Sequence, residues 1–239
     1  RGLDAETVKL FGIGYAPDAW RSLCDHLQRR GIPEEAGVRA GLLRRNERGT
    51  YDWFRGRIMF PITDPRGRVV GFGGRVISGD GVKYLNTAET PVFSKGSHLY
   101  GLDVVRRFRT IDEIVLVEGY MDVVGLYRHG YGPAVASLGT ALTAAQARLV
   151  KRYARRVVVA YDADAAGRQA TLRGLEILAE EGLEVRVARL PEGEDPDSFI
   201  RARGREAFEE AVRTALPFVE YELEEALRGV DLERVEGRV

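Results

Sequence analysis

The sequence predicts an α+β N-terminal subdomain built around a β-hairpin, then an α/β domain with a parallel sheet flanked by helices, then a short helical segment. Two observations carry this. Before about residue 110, short helical stripes and one hairpin alternate without a repeating unit. From residue 111, short apolar runs rich in Val and Ile alternate with helical stretches, as expected of strands buried on both faces of a parallel sheet. The boundaries fall at 1–108, 109–205 and 206–239. With 239 residues and 44% hydrophobic side chains, the chain is long enough to bury its own core.

The elements follow in order. Trp20, Leu23, Cys24 and Leu27 recur at helical spacing and predict one apolar stripe, on which Cys24 reads as a small buried hydrophobe. Ile58 to Thr63 and Val69 to Ile77 read as paired strands around Asp64-Pro65-Arg66-Gly67, which has type I turn chemistry. Gly71, Gly73 and Gly74 on the second strand do not make a dinucleotide fingerprint, because no helix follows directly. They predict close approach of another backbone or a ligand.

The second half predicts strands at 114–117, 134–137, 157–161 and 184–190, the last with the alternation of an edge strand. Helices are expected through Tyr127, from near Thr143 to Tyr153, and from about Ala165 to Glu181. A further acidic helix is expected from Phe218 to Leu227. Ligands of such sheets sit at the carboxyl ends of the strands. There the sequence carries Glu118, then Asp162 and Asp164, then Asp195 and Asp197, with Asp122 one turn into a helix. Crowded carboxylates repel one another unless a cation is held among them. All-oxygen donors suit Mg²⁺ or Mn²⁺ better than zinc. Singly, Asp164 or Asp197 would read as a helix N-cap.

Acidic and basic residues number 36 each, so the chain is neutral overall, which taken alone argues against a nucleic-acid binder. The total hides an asymmetry. Residues 1–110 carry 19 Lys+Arg and 12 Asp+Glu, whereas residues 111–239 carry 17 and 24. A +7 half suited to polyanions thus precedes a −7 half that includes the clustered acids. One cysteine excludes an internal disulfide framework and any multi-cysteine zinc site within these residues. No apolar run approaches the ~20 residues of a membrane span, and no secretory leader is visible, so a cytoplasmic setting is expected.

Taken together, these motifs resemble the Toprim domain of topoisomerases, primases and some nucleases, and more narrowly the catalytic core of the bacterial DnaG-type replicative primases. The resemblance rests on Arg57 to Ile62, Arg66 to Arg75, Lys83-Tyr84-Leu85-Asn86, Phe93 to Gly96, Glu118-Gly119-Tyr120-Met121-Asp122, Ser137 to Thr140, Asp162-Ala163-Asp164 and Gly193 to Asp197. It implies an RNA polymerase that copies single-stranded DNA into short primers from ribonucleoside triphosphates, leaving an RNA–DNA hybrid. It implies that Glu118, Asp162, Asp164, Asp195 and Asp197 hold catalytic metals, with Glu118, Asp162 and Asp164 central, and that Asp122 lines the site. Arg75, Lys83, Tyr84, Asn86 and Lys95 match the family's nucleotide and DNA contacts. Ala163 departs from the family's usual Gly.

Bottom-up, Lys83 can neutralise a phosphate, Tyr84 can stack on a base and Asn86 can pair with a base edge or sugar. Arg57, Arg66 and Arg68 are candidates to extend that basic surface. The family's zinc-binding domain and its helicase-contacting domain have no room in 239 residues with one cysteine, so a trimmed core is expected. Two other readings stay open: phosphodiester cleavage by a Toprim nuclease or topoisomerase, and a non-catalytic module that binds single-stranded DNA or nucleotides.

Overall fold

Asp4 opens the first helix by accepting the Thr7 N–H at 2.8 Å. In the computed structural model, which describes residues 2–78, 81–139, 141–161 and 168–227, the N-terminal elements are α1 (Ala5–Leu10), β1 (Gly14–Ala16), α2 (Ser22–Arg29), α3 (Glu34–Arg39), β2 (Leu43–Asn46), β3 (Gly49–Asp52), β4 (Arg57–Thr63), β5 (Val69–Val76) and β6 (Tyr84–Asn86). A 3-10 turn (Lys95–Ser97) and α4 (Leu102–Val105) lead into the second half. There follow β7 (Glu113–Val117), α5 (Tyr120–Arg128), β8 (Ala134–Ala136), α6 (Ala144–Lys151), β9 (Arg156–Val159), α7 (Arg168–Glu180) and β10 (Glu184–Val187). The last described elements are α8 (Pro196–Arg203), α9 (Arg205–Arg213), β11 (Leu216–Pro217) and α10 (Phe218–Leu227).

The expected hairpin is β4–β5, antiparallel and in register from Arg57↔Val76 to Ile62↔Gly71, with a bulge beside the turn. Its turn is closed by Asp64, whose carboxylate accepts the Arg66 and Arg68 N–H groups at 2.8 and 2.9 Å. The sheet runs β1-β4-β5-β6, and β2–β3 form a separate two-stranded ribbon. Neither β1 nor β2 shows in the sequence pattern, because β1 has three residues and β2 carries arginine at two of its four positions.

The three hairpin glycines are explained by aromatic side chains rather than by a backbone or a ligand. A Cβ at Gly73 would stand 2.5 Å from the Tyr120 Oη, at Gly74 2.7 Å from the Phe54 ring, and at Gly71 3.0 Å from the Phe93 ring. A second departure concerns the first helical stripe. Cys24 is fully buried on α2 as expected, but Trp20 precedes the helix and is 64% exposed. It stands edge-on to Tyr51, with the Arg55 guanidinium 4.2 Å over its ring.

The second half is a five-stranded sheet in the order β11-β10-β9-β7-β8, parallel except for β11. The expected edge strand, β10, is therefore not an edge, because the two-residue β11 covers it. Two residues leave no periodicity to read. One hydrophobic cluster joins Phe60, Ile62 and Phe93 of the first half to Val115, Val117, Val124 and Phe199 of the second. The antiparallel and parallel sheets thus share a core, and the side chains at this junction, such as Phe60, Val117 and Val124, are each worth about 1.5–3 kcal/mol of burial. The opposite face of the parallel sheet is covered by α4, α6 and α7 through Leu102, Val150 and Leu178.

Candidate functional site

Strand order locates the acids. From β7 the chain crosses by α5 to β8 on one side, then returns by α6 to β9 on the other. The crevice at such a reversal, at the carboxyl ends of β7 and β9, is where open parallel sheets bind ligands. Glu118 stands there, exposed, one residue past β7. Alongside it, Ala160 continues β9 by donating to the Leu116 carbonyl at 2.9 Å. Asp162 and Asp164 come next in the chain and lie outside the described residues. Burial pushes the Tyr161 phenol above the usual tyrosine range; its hydrogen bond with Ser137 opposes this and the nearby Glu118 charge adds to it.

The remaining acids have structural occupations. Asp122 is buried; its carboxylate accepts the Gly119 N–H at 3.0 Å and the Asp197 N–H at 3.4 Å, tying the β7–α5 turn to α8. Asp197 is only 5% exposed, and its Cγ lies so close to α5 that a Cβ at Gly125 would meet it at 2.9 Å. Asp195 is the N-cap of α8, accepting the Ser198 N–H at 2.6 Å while Ser198 Oγ accepts the Asp195 N–H at 2.9 Å. Capping thus falls to Asp195 and not to Asp197. Among the described residues, no three His, Cys, Asp or Glu side chains gather closely enough to hold a metal ion.

A cleft of about 410 Å³ opens between β6 and the loop after β8, lined in part by Arg44, Trp53, Tyr84, Asn86, Lys95 and Tyr120. It brings together three of the five predicted contacts: Tyr84, Asn86 and Lys95. Arg75 pairs with Tyr84 across β5–β6 and lies 5.4 Å over its ring. Lys83 is exposed beyond the cleft, and its carbonyl accepts the Val76 N–H at 3.1 Å.

Asn86 does more than its residue type promised. Its Oδ1 accepts the Tyr120 hydroxyl at 2.5 Å and its Nδ2 donates to the Leu138 carbonyl at 3.0 Å. The side chain therefore clamps the antiparallel sheet to the parallel one. Leu138 is held at φ 65°, a conformation a branched side chain reaches only under strain from its surroundings. Arg57 is another correction. It is buried, donates to the Gly74 and Val82 carbonyls at 3.2 and 2.9 Å, and so does not extend the basic surface. Arg68 is turned to Asp64 at 2.7 Å, inside its own hairpin.

The sequence reading missed Arg44, Trp53 and Tyr120. Arg44 lies 4.3 Å over the Trp53 ring, and Trp53 Nε1 donates to the Asn86 carbonyl at 3.2 Å. The two meet across the β2–β3 ribbon, whose pairing no local pattern announces. Tyr120 had a signal in the missing side chain of Gly73, onto which its ring is seated.

Residues 1–106 match the family model of the DNA primase catalytic core, N-terminal domain, and residues 115–200 match the Toprim-like model. A DNA primase of Clostridium acetobutylicum is 45% identical over 237 residues, which is 99% of this chain and 40% of that protein. The chain thus spans about two fifths of the length of the curated relatives it matches. Among solved structures, a DNA primase domain from Pseudomonas aeruginosa is 43% identical with a TM-score of 0.89, covering 99% of this chain and 76% of that one. A DnaG primase catalytic domain bound to ssDNA is 43% identical with a TM-score of 0.87, covering 99% and 78%. On this evidence the chain belongs to the DnaG-type DNA primase catalytic cores.

Proposed function

We propose that the chain is the catalytic part of an RNA polymerase that copies single-stranded DNA into short RNA primers at the bacterial replication fork. The observation that carries this reading is the Tyr120–Asn86–Leu138 clamp, which fixes an aromatic and basic wall within two residues of Glu118. In the cleft, Lys95 offers an ammonium group to a nucleotide phosphate, and Arg44 on Trp53 offers a second cation with a flat face. Tyr84, backed by Arg75, offers a ring on which a base can stack. Asn86 has its amide occupied from both sides, so it shapes the wall that the nucleotide meets.

The donor set fits a divalent cation. Glu118 is exposed at the switch point, Asp162 and Asp164 follow the neighbouring strand, and all are oxygen ligands of the kind Mg²⁺ and Mn²⁺ take. These three residues would hold it, and when bound it supplies positive charge to the phosphoryl oxygens during nucleotidyl transfer. Asp195 caps α8 and Asp122 ties Asp197 to the β7–α5 turn, which supports positioning roles for these three acids around that rim. In the transfer, the 3′ oxygen of one nucleotide bonds to the α-phosphorus of the next and pyrophosphate leaves.

The proposed partners are a single-stranded DNA template, ribonucleoside triphosphates and the RNA–DNA hybrid product, with the replicative helicase met through a domain outside this chain. The test is incubation with labelled ribonucleotides, Mn²⁺ and single-stranded DNA, beside a parallel reaction with supercoiled DNA. Template-dependent di- and trinucleotides with no nicking support the reading. Nicking or relaxation without incorporation would replace it with a cleaving enzyme.

A further inference from the structure

The acidic half of the chain contains one strongly basic run. Arg148, Lys151 and Arg152 fall at helical spacing on α6 and its C-cap, and Arg155 follows in the turn that leads to β9. All four are exposed. Arg148 pairs with Glu181 at 2.6 Å and Lys151 donates to the Glu181 carbonyl at 2.5 Å. Glu184, the next acid along, is engaged by Arg156 and Arg186. Among the described residues, Arg152 and Arg155 form no ion pair and no side-chain hydrogen bond.

Three of these cations, Arg148, Lys151 and Arg152, line a groove of about 590 Å³ together with Ser97, Leu149 and Glu181, and Arg155, three residues on in the chain, is exposed outside that lining. One turn links the groove to the cleft. Lys95 lines the cleft and Ser97, two residues on, lines the groove. The turn that carries both is clipped to the start of α6: Gln146 Nε2 donates to the Lys95 and His98 carbonyls at 3.0 and 2.9 Å, and Thr143 Oγ1 donates to the Gly96 carbonyl at 2.5 Å. Cations in a last helical turn favour the helix dipole. That accounts for Lys151 or Arg152 but not for Arg155 beyond the helix, nor for the junction with Lys95.

We propose that this groove carries the phosphodiester backbone of the nucleic-acid strand that continues from the cleft. The inference rests on the reading that the cleft holds a nucleic-acid strand. Eight residues of helix rise about 12 Å, the length of about three to four nucleotides at the ~3.4 Å rise of a stacked strand. The contact is with phosphates and carries no sequence information. Template DNA and the hybrid product present the same backbone, and the ligands of the test separate them.

The test is fluorescence anisotropy on the whole chain with single-stranded DNA of about six and about sixteen nucleotides, plus an RNA–DNA hybrid of the longer length. Arg152→Ala/Arg155→Ala should weaken the longer strand or the hybrid about tenfold and flatten the salt slope by about 1.4, with the short strand within about twofold. Arg152→Lys/Arg155→Lys should restore most of the loss, separating charge from packing. A loss confined to the hybrid assigns the groove to product. Unchanged binding of both long ligands, or equal weakening of short and long strands, would overturn the proposal. Lys95→Ala, which should weaken the short strand, reports separately on the cleft.

Discussion

Gly73→Ala isolates the packing that joins the two sheets. Gly73 lies within the paired stretch of β5, opposite Phe60 on one side and Asn86 on the other, so its place in the ladder suits any residue. Its requirement is space. An added Cβ would stand 2.3 Å from the Tyr120 Cζ and 2.5 Å from its Oη, where ordinary contact begins at 3.4 Å. The ring would have to retreat by roughly 1.1 Å, into Phe60 stacked at 5.2 Å and Tyr100 edge-on at 4.8 Å. Overpacking of this kind costs about 1–3 kcal/mol, and 2 kcal/mol lowers the melting temperature of a chain this size by about 4–8 °C. The same shift takes the hydroxyl off Asn86, so nucleotide incorporation should fall as well. Thermal unfolding followed by circular dichroism, with Tyr120→Leu as partner in a double-mutant cycle, measures the effect. The smaller side chain should make Gly73→Ala nearly neutral, a coupling of about 1–2 kcal/mol. A melting temperature for Gly73→Ala within about 1 °C of the parent would refute the reasoning.

Other predictions follow from local chemistry. The Cys24 thiol is fully buried and pushed up to about 11 by that burial, with Asp52 adding to the effect, so a maleimide at pH 8 should label it only after denaturation. Rapid stoichiometric labelling of the native chain would contradict this. The Asp64 carboxyl is held at about 2, mainly by the Arg68 N–H and also by the Arg68 guanidinium. Because the folded value lies below the ordinary 3.8, the stabilisation is complete above that pH and fades as pH falls toward 2. Asp64→Asn should therefore lower urea stability at neutral pH by an amount that shrinks near pH 2, and a pH-independent difference would exclude the carboxylate as its cause. Asp195→Ala should cost about 1 kcal/mol of stability through the lost cap, and Asp195→Asn only a few tenths. Equal losses in urea titrations of the two would mean the cap is not what Asp195 supplies.

Much of the architecture was legible because its signals are local. The 58–63 and 69–77 runs around Asp-Pro-Arg-Gly could only be a hairpin, and Val-rich runs between helical stretches could only be a buried parallel sheet. Glu118 at a strand end was legible for the same reason, and the strand order sharpens its position to the switch point. What stayed hidden depends on partners far along the chain. Trp20 fits the helical stripe by spacing but precedes α2, where its neighbours are Tyr51 and Arg55. β11 is too short to have a period, yet it removes the edge from β10. Asn86 read as a base contact because an amide suits one, whereas its two amide partners come from 34 and 52 residues away. Arg57 read as surface because arginine usually is, whereas two carbonyls receive it in the interior. Asp197 taken singly read as a cap, whereas α8 starts at Pro196, so Asp195 takes the cap and Asp197 is a buried acid.

On the proposed function, Glu118, at the reversal of the parallel sheet, serves nucleotidyl transfer on a strand held by the cleft. Single-turnover incorporation of a labelled ribonucleotide on a single-stranded DNA template, with Mn²⁺, tests it most directly. Glu118→Gln should lower incorporation at least about a hundredfold while single-stranded DNA binding stays within about twofold. Incorporation by Glu118→Gln at the parent rate would contradict it.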